Sequence, residues 1–234
     1  MGCGEGTALQ LMLAATGFVY GAYQGASTGC NSVFGSTYTF NPFKVPWTNS
    51  LIENSPADAM GIRLQWDQEG HEKRRLWVVG GDGAFYDIGF QSLSRPLMSS
   101  MEIKVLAPDI PVYSNTGGQS STATFTGQSA KMAAFGKASP GKRERRKERA
   151  TIAMMHPGVY VAQTTPAHLN HFYKCILEAN EYSGPAVVIC SAACMPEHGI
   201  PDDRAVAQAR LAADSRTFPC SPTVLTRATR FVRG

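Results

Sequence analysis

Two short segments carry residue types suited to holding a metal and a phosphate. Gly80-Gly81-Asp82-Gly83 follows an apolar run at 76–79. Glycines let a backbone approach a ligand closely, and a helix starting just after them offers free N–H groups to an anion. Asp82 adds a hard oxygen of the kind Mg2+ takes when it bridges phosphates. Further on, Tyr113-Ser114-Asn115-Thr116-Gly117-Gly118-Gln119-Ser120-Ser121 sets neutral donors and glycines beside a second apolar run, a plausible cradle for a diphosphate. Either segment alone also describes an ordinary turn or a Ser/Thr-rich loop. The two together, one at each end of a strand–helix–strand unit, make a much more specific pattern.

The elements that must position these segments alternate in type. Residues 5–15 have helical spacing, 18–24 read as a strand, and 25–50 as a long loop rich in Gly, Ser, Thr, Asn and Pro. Residues 55–65 read as a helix with Ser55 as its cap and Pro56 at its first position. Strands are expected at 76–79, 103–107, 159–163 and 185–190. Helices are expected at 86–99 (broken or kinked at Pro96), 129–136, 149–156, 166–181 and 203–215, with a loop at 109–129. Strands alternating with helices imply an α/β fold with a parallel sheet flanked by helices. The all-apolar strands suit a sheet covered on both faces. Ligands in such sheets sit beyond the carboxyl ends of the strands, where both segments fall.

With 43% hydrophobic and 17% charged residues, the chain is too apolar to be disordered. No stretch reaches the roughly 20 uninterrupted apolar residues of a membrane span. The apolar N-terminus lacks the basic leader of a signal peptide, so a cytoplasmic location is expected. The net charge of +4 is concentrated in GKRERRKER at 141–149, and the remaining acidic and basic residues balance. That run reads first as a solvated connector, second as a docking patch for an acidic electron acceptor or a subunit. Nucleic acid ranks last, because no aromatic is interleaved and Glu144 and Glu148 break the field. The six cysteines (Cys3, Cys30, Cys175, Cys190, Cys194 and Cys220) are too scattered for a small disulfide scaffold. They read as buried thiols or as soft-metal ligands brought together by the fold.

The layout of a Gly-Asp-Gly turn and a later Asn-containing loop is that of thiamine-diphosphate enzymes. Residues 77–137 closely resemble the thiamine-diphosphate-binding domain of pyruvate:ferredoxin (flavodoxin) oxidoreductase, of the 2-oxoacid:acceptor oxidoreductase family. The most specific run is VYSNTGGQSS at 112–121, supported by GCGE at 2–5, TGCNSVFG at 28–35, WTNSLIEN at 47–54 and CMPEHGI at 194–200. The resemblance implies the thiamine-diphosphate-binding fold. It also implies cleavage of a 2-oxoacid such as pyruvate, transfer of the acyl group to coenzyme A, and electrons passed singly through a [4Fe–4S] cluster to ferredoxin or flavodoxin. It assigns Asp82 and the Val112 carbonyl to Mg2+. Glu5, Cys30, Gly81, Asp82, Gly83, Asn115, Thr116 and Gly117 are assigned to the cofactor, with Asn115 also catalytic. Cys3, Cys30 and Cys194 match three of the four cluster ligands. A pyrimidine-binding domain or subunit of the same enzyme and a homo-oligomer are the expected partners, without nucleic acid or membrane.

Three departures qualify that resemblance. The first cysteine of the family's C-x-x-C-G-E motif would precede Met1, so the chain is expected to be a fragment with incomplete cluster ligation, inactive by itself. Ile110 stands where the family usually has Thr or Asn as a side-chain ligand for Mg2+, so weakened metal affinity is expected. Residues 217–234 match nothing and are expected to form a disordered tail beyond a domain at 1–216. A non-catalytic remnant or assembly module that keeps the fold is the alternative function. Glu5 reads equally as a cofactor-tuning carboxylate or as a first-turn helix charge. His198 reads as a surface turn residue.

Overall fold

In the computed structural model, the structure describes residues 2–17, 23–27, 29–35, 43, 45–51, 53–133 and 141–223. The chain runs α1 (Gly4–Thr16), β1 (Tyr23–Ser27), α2 (Cys30–Gly35), β2 (Trp47–Ser50), α3 (Ser55–Gln68) and β3 (Leu76–Val79). A single π-turn (Gly83–Ile88) leads into α4 (Phe90–Leu97) and β4 (Ile103–Asp109). After the long loop come α5 (Arg149–Met154), β5 (Tyr160–Thr164), α6 (Leu169–Glu181), β6 (Ala186–Ser191), α7 (Met195–His198), α8 (Ala205–Asp214) and β7 (Ser221–Thr223). The strands form one sheet in the order β2-β1-β3-β4-β6-β5-β7. All neighbours are parallel except β7, which runs antiparallel to β5.

Side chains alternate between the two sheet faces. Trp77, Val79 and Leu106 point to one face, where α1 and α6 bring Leu9, Met12, Phe172 and Ile176. Leu76, Val78, Ile103 and Val105 point to the other, under Phe85, Leu93 and Leu97. Each fully buried aliphatic or aromatic side chain contributes about 1.5–3 kcal/mol, so the apolar runs are strands because both faces bury them. Two polar groups inside the sheet core are paired. Trp77 Nε1 donates to Asn180 Oδ1 at 3.1 Å. Lys104, fully buried, donates to Glu102 Oε2 at 3.0 Å, to Gly184 O at 2.6 Å and to Tyr182 O. No helix among the described residues is long and apolar enough to cross a membrane.

Several expectations are corrected. The stretch 25–50 contains β1, α2 and the edge strand β2. Its Gly/Ser/Thr content hides them because edge pairing needs little apolar side chain. The strand expected at 18–24 overlaps β1 only at its start, since 18–22 lie outside the described residues. The cap before α3 is Asn54, and Ser55 is already helical and buried. The helix expected at 86–99 begins earlier as the π-turn, and α4 ends one residue after Pro96, which has no N–H to donate to the carbonyl four residues back. Residues 129–133 form no helix: Lys131 bridges to Gln119 instead. The rest of that expected helix lies outside the described residues. The tail does not begin at 217, because Phe218 is buried and β7 extends the sheet. Residues 224–234 lie outside the described residues.

Candidate functional site

The carboxyl ends of β3 and β4 open into a cleft that collects both sequence segments. Gly81, Asp82 and Gly83 line it from one side, and Asn115 and Thr116 from the other. Ile110 and Val112, leaving β4, form the floor between them. Gly81 faces open space, whereas a Cβ on Gly83 would collide with the Tyr113 ring. Glycine at 83 is therefore what allows the two segments to close on each other. Tyr113 in turn donates its hydroxyl to Asp87 Oδ2 at 2.8 Å. Gly117, expected at the cofactor, does not line the cleft; its φ of +112° turns the loop back so that Tyr113 pairs with Gln119.

Asp82 is buried and accepts a hydrogen bond from Ser121 Oγ. Burial pushes its carboxyl up to about 7, with Ser121 and Arg149 pulling the other way. A buried carboxylate held at that cost is well placed to meet a cation. Ile110 is buried beside it and offers no oxygen. Asp109, one residue earlier, points away to Arg146 Nη2 at 3.1 Å and to Arg149. Of the two residues that the resemblance assigns to a hard cation, Asp82 brings a buried carboxylate to the cleft and Val112 lines it. Ile110→Thr is expected to tighten Mg2+ binding about tenfold in a titration with thiamine diphosphate present, the size of effect typical around metal sites. An unchanged Mg2+ dependence would show that Ile110 costs nothing.

The opposite wall is built by α1 and α2. Glu5 lies in the first turn of α1 but is only 2% exposed, so it is no surface helix charge. Burial lifts its carboxyl to about 7, while hydrogen bonds from Cys30 and Asn31 lower it. Its Oε1 has no partner, and neither has Oδ1 of Asn31, which is also 2% exposed. Cys30 and Gly29 complete this wall. Buried acceptors without a donor are exceptional in folded proteins.

Cys3, Cys30 and Cys194 gather behind this wall. Burial raises the thiols of Cys3 and Cys30, and these three cysteines act on one another electrostatically. Among the described residues, no three groups close on a single metal ion. Three thiols also fall short of a four-thiolate cluster site, so the cluster fits these residues only in part. His198 is half-buried rather than on the surface. Its Nδ1 accepts from the Cys194 N–H at 3.4 Å, and its Nε2 is buried without a partner.

The basic run is not a solvated connector. Lys142 is 8% exposed and donates to the carbonyls of Ser121, Thr122 and Thr124, each at 3.0 Å. Lys147 donates to Tyr86 O, and Arg149 is buried against Asp109 and the Tyr86 ring. Only Arg143 and Arg145 keep their cations exposed. The run straps the loop at 121–124 onto the π-turn. Sequence reading missed Asn31 and Lys142, and named Ser121 only within the diphosphate loop, not as the partner of Asp82. Asn31 is flagged only by adjacency to Cys30, and Ser121 only by closing a motif. Lys142 carries no signal at all. A larger cavity, of about 520 Å³, opens between Pro111, Phe125 and α8. It shares none of the candidate cofactor residues.

Residues 27–190 match the family described as thiamine pyrophosphate enzyme, C-terminal TPP binding domain. The chain is 34% identical to the pyruvate synthase subunit PorB of Pyrococcus furiosus, over 93% of this chain and 68% of that one. It is 31% identical to a probable pyruvate-flavodoxin oxidoreductase of Escherichia coli, over 85% of this chain but only 22% of the relative's length. A solved 2-oxoglutarate:ferredoxin oxidoreductase from Magnetococcus marinus shares the fold, with a TM-score of 0.66 at 22% identity over 82% of this chain and 62% of that one. A thiamin diphosphate-dependent enzyme of Mycobacterium smegmatis aligns at a TM-score of 0.54 and 14% identity, over 83% of this chain and 32% of that one. With the glycine–aspartate turn, the asparagine loop and the apolar floor in one cleft, these matches make the chain a thiamine-pyrophosphate-binding domain of the 2-oxoacid oxidoreductase family.

Proposed function

We propose that the chain is the thiamine-diphosphate- and Mg2+-binding part of an oxidoreductase acting on a 2-oxoacid, pyruvate by similarity to the named relatives. The observation that supports this reading is that Asp82, Val112 and Asn115 line one cleft together with Glu5 and Asn31, whose buried Oε1 and Oδ1 have no partner. When bound, thiamine diphosphate supplies the carbanion chemistry that cleaves the oxoacid. The chain's own part is to hold and orient. Asp82, fixed by Ser121, and the Val112 carbonyl take the cation. Gly81 and Gly83 let the backbone reach the diphosphate. Asn115 and Thr116 close the opposite side, with the Asn115 side chain exposed at the mouth for the reacting end of the substrate.

In the complete enzyme, the acyl group goes to coenzyme A and electrons to ferredoxin or flavodoxin, with a second domain or subunit covering the aminopyrimidine. The chain spans 22% of the Escherichia coli relative's length, and the proposal is that it binds cofactor but turns over only when a pyrimidine-binding domain or subunit is supplied. Titration of the purified chain with thiamine diphosphate and Mg2+, read by tryptophan fluorescence and calorimetry, should show saturable Mg2+-dependent binding. Pyruvate-dependent dye reduction should be absent. Lack of any saturable binding would overturn the reading, and robust turnover would overturn the requirement for a second domain.

A further inference from the structure

A second cavity opens at the carboxyl ends of the neighbouring strands β4 and β6, and it shares no lining residue with the cofactor cleft. Loops that leave parallel strands at this end commonly enclose a ligand. Here the loop after β4 supplies Pro111 and Phe125, while α8 and the turn behind it supply Ala209, Ala212 and Phe218. These walls are apolar, and at about 520 Å³ the space falls in the range of small-molecule pockets. The inner end is polar. Asp109 and Ser191, paired in the β4–β6 register, both line it. Asp109 is 2% exposed, and its two oxygens are unequally used. Oδ2 takes Arg146 and Arg149, whereas Oδ1 is buried without a partner. A buried acceptor that lacks a donor calls for an explanation, and beside a cavity the explanation is a ligand that donates.

The charge balance narrows the choice of ligand. Two guanidinium groups already face this one carboxylate, and neither lines the cavity. A cationic ligand would meet that surplus of positive charge, and an anionic one would meet Oδ1 itself, so an uncharged occupant fits best. Two phenyl rings stand in the walls. Phe125 is held with Arg146 Cζ 4.2 Å from its ring centroid, and Phe218 is buried. Fixed rings of this kind favour an aromatic body between them. We propose that the cavity is a second binding site, which takes an uncharged aromatic molecule and accepts one N–H or O–H from it at Asp109 Oδ1. The Ser191 hydroxyl, able to donate or to accept, completes the polar end. This site lies outside the thiamine-diphosphate reading and does not depend on it.

The test is calorimetric titration of the full chain with indole and with benzofuran, which has the same shape but an oxygen in place of the N–H. Indole should bind at one site, about tenfold more tightly than benzofuran, the contribution of one hydrogen bond. Saturating thiamine diphosphate and Mg2+ should leave the indole affinity unchanged, because the two sites share no residue. Ala212→Phe, which fills the cavity from α8, should abolish indole binding. Ser215→Phe, exposed at the mouth, serves the same purpose if the first variant does not fold, as judged by circular dichroism. Absence of saturable indole binding, or equal affinity for the two probes, would overturn the proposal. So would displacement of indole by thiamine diphosphate, or full binding by a folded variant. Failure of thiamine diphosphate to bind while indole does would overturn the cofactor reading and leave this site standing.

Discussion

Replacing Asp82 by alanine should reduce Mg2+-dependent binding of thiamine diphosphate by at least about 100-fold, the upper range for disturbing a metal site. The reason lies in the poverty of the donor set. Ile110 contributes no oxygen and Asp109 is committed to Arg146 and Arg149. Glu5, the other carboxylate lining the cleft, is engaged by Cys30 and Asn31. Asp82 is therefore the one lining carboxylate on the Gly-Asp-Gly turn, and no neighbour there can take over. Asp82→Asn separates charge from shape: it keeps a partner for Ser121 Oγ yet should bind Mg2+ nearly as poorly as alanine. Calorimetric titration of both variants, with circular dichroism as the folding control, checks this. If the asparagine variant retained tight Mg2+-dependent binding, the cation would have to sit elsewhere.

The second large effect is on stability. Lys142→Met should destabilise the chain by about 3 kcal/mol, because three carbonyls that now share one ammonium would each lose a buried donor at about 1 kcal/mol. In a chain of this size that lowers the midpoint of thermal unfolding by about 6–12 °C. Binding should weaken several-fold as well, since Lys142 holds Ser121, and Ser121 holds Asp82. Arg143→Met and Arg145→Met, in the same basic run but exposed, should change stability by no more than about 0.5 kcal/mol. Differential scanning calorimetry of the three variants distinguishes a strap from a solvated run. Equal melting of Lys142→Met and Arg143→Met would show that the ammonium holds nothing.

How much of this was legible before the structure depends on whether a residue acts through its type or through its partners. The central strands could be read because both faces of the sheet are buried, so Leu76 to Val79 and Ala186 to Cys190 are apolar without interruption. The cleft could be read because Asp82 and Asn115 stand in segments whose composition suits phosphate. The edge strand β2 could not, since Trp47-Thr48-Asn49-Ser50 is half-exposed and paired on one side only. Glu5 has the position of an ordinary helix-start charge, and only the packing of α1 beneath the cleft makes it a buried carboxylate. Lys142 is the clearest case. Its residue type and neighbours favour a solvated surface, and its role comes from three carbonyls about 20 residues earlier in the chain, which no periodicity reports.

The strand order has a consequence for how the chain reaches this structure. β4 pairs with β6, and that register joins Lys104 to Ala186 across the long loop, the strap, β5 and α6. Parallel pairings of this kind close large loops before any contact rewards them, so folding is slow and leaves apolar strand edges open meanwhile. The cleft, drawing on α1, β3, β4 and the loop beyond, is complete only when both halves of the sheet have met. A truncation that removes α1 takes Glu5 from the cleft, and one that removes β6 leaves β4 as an open edge.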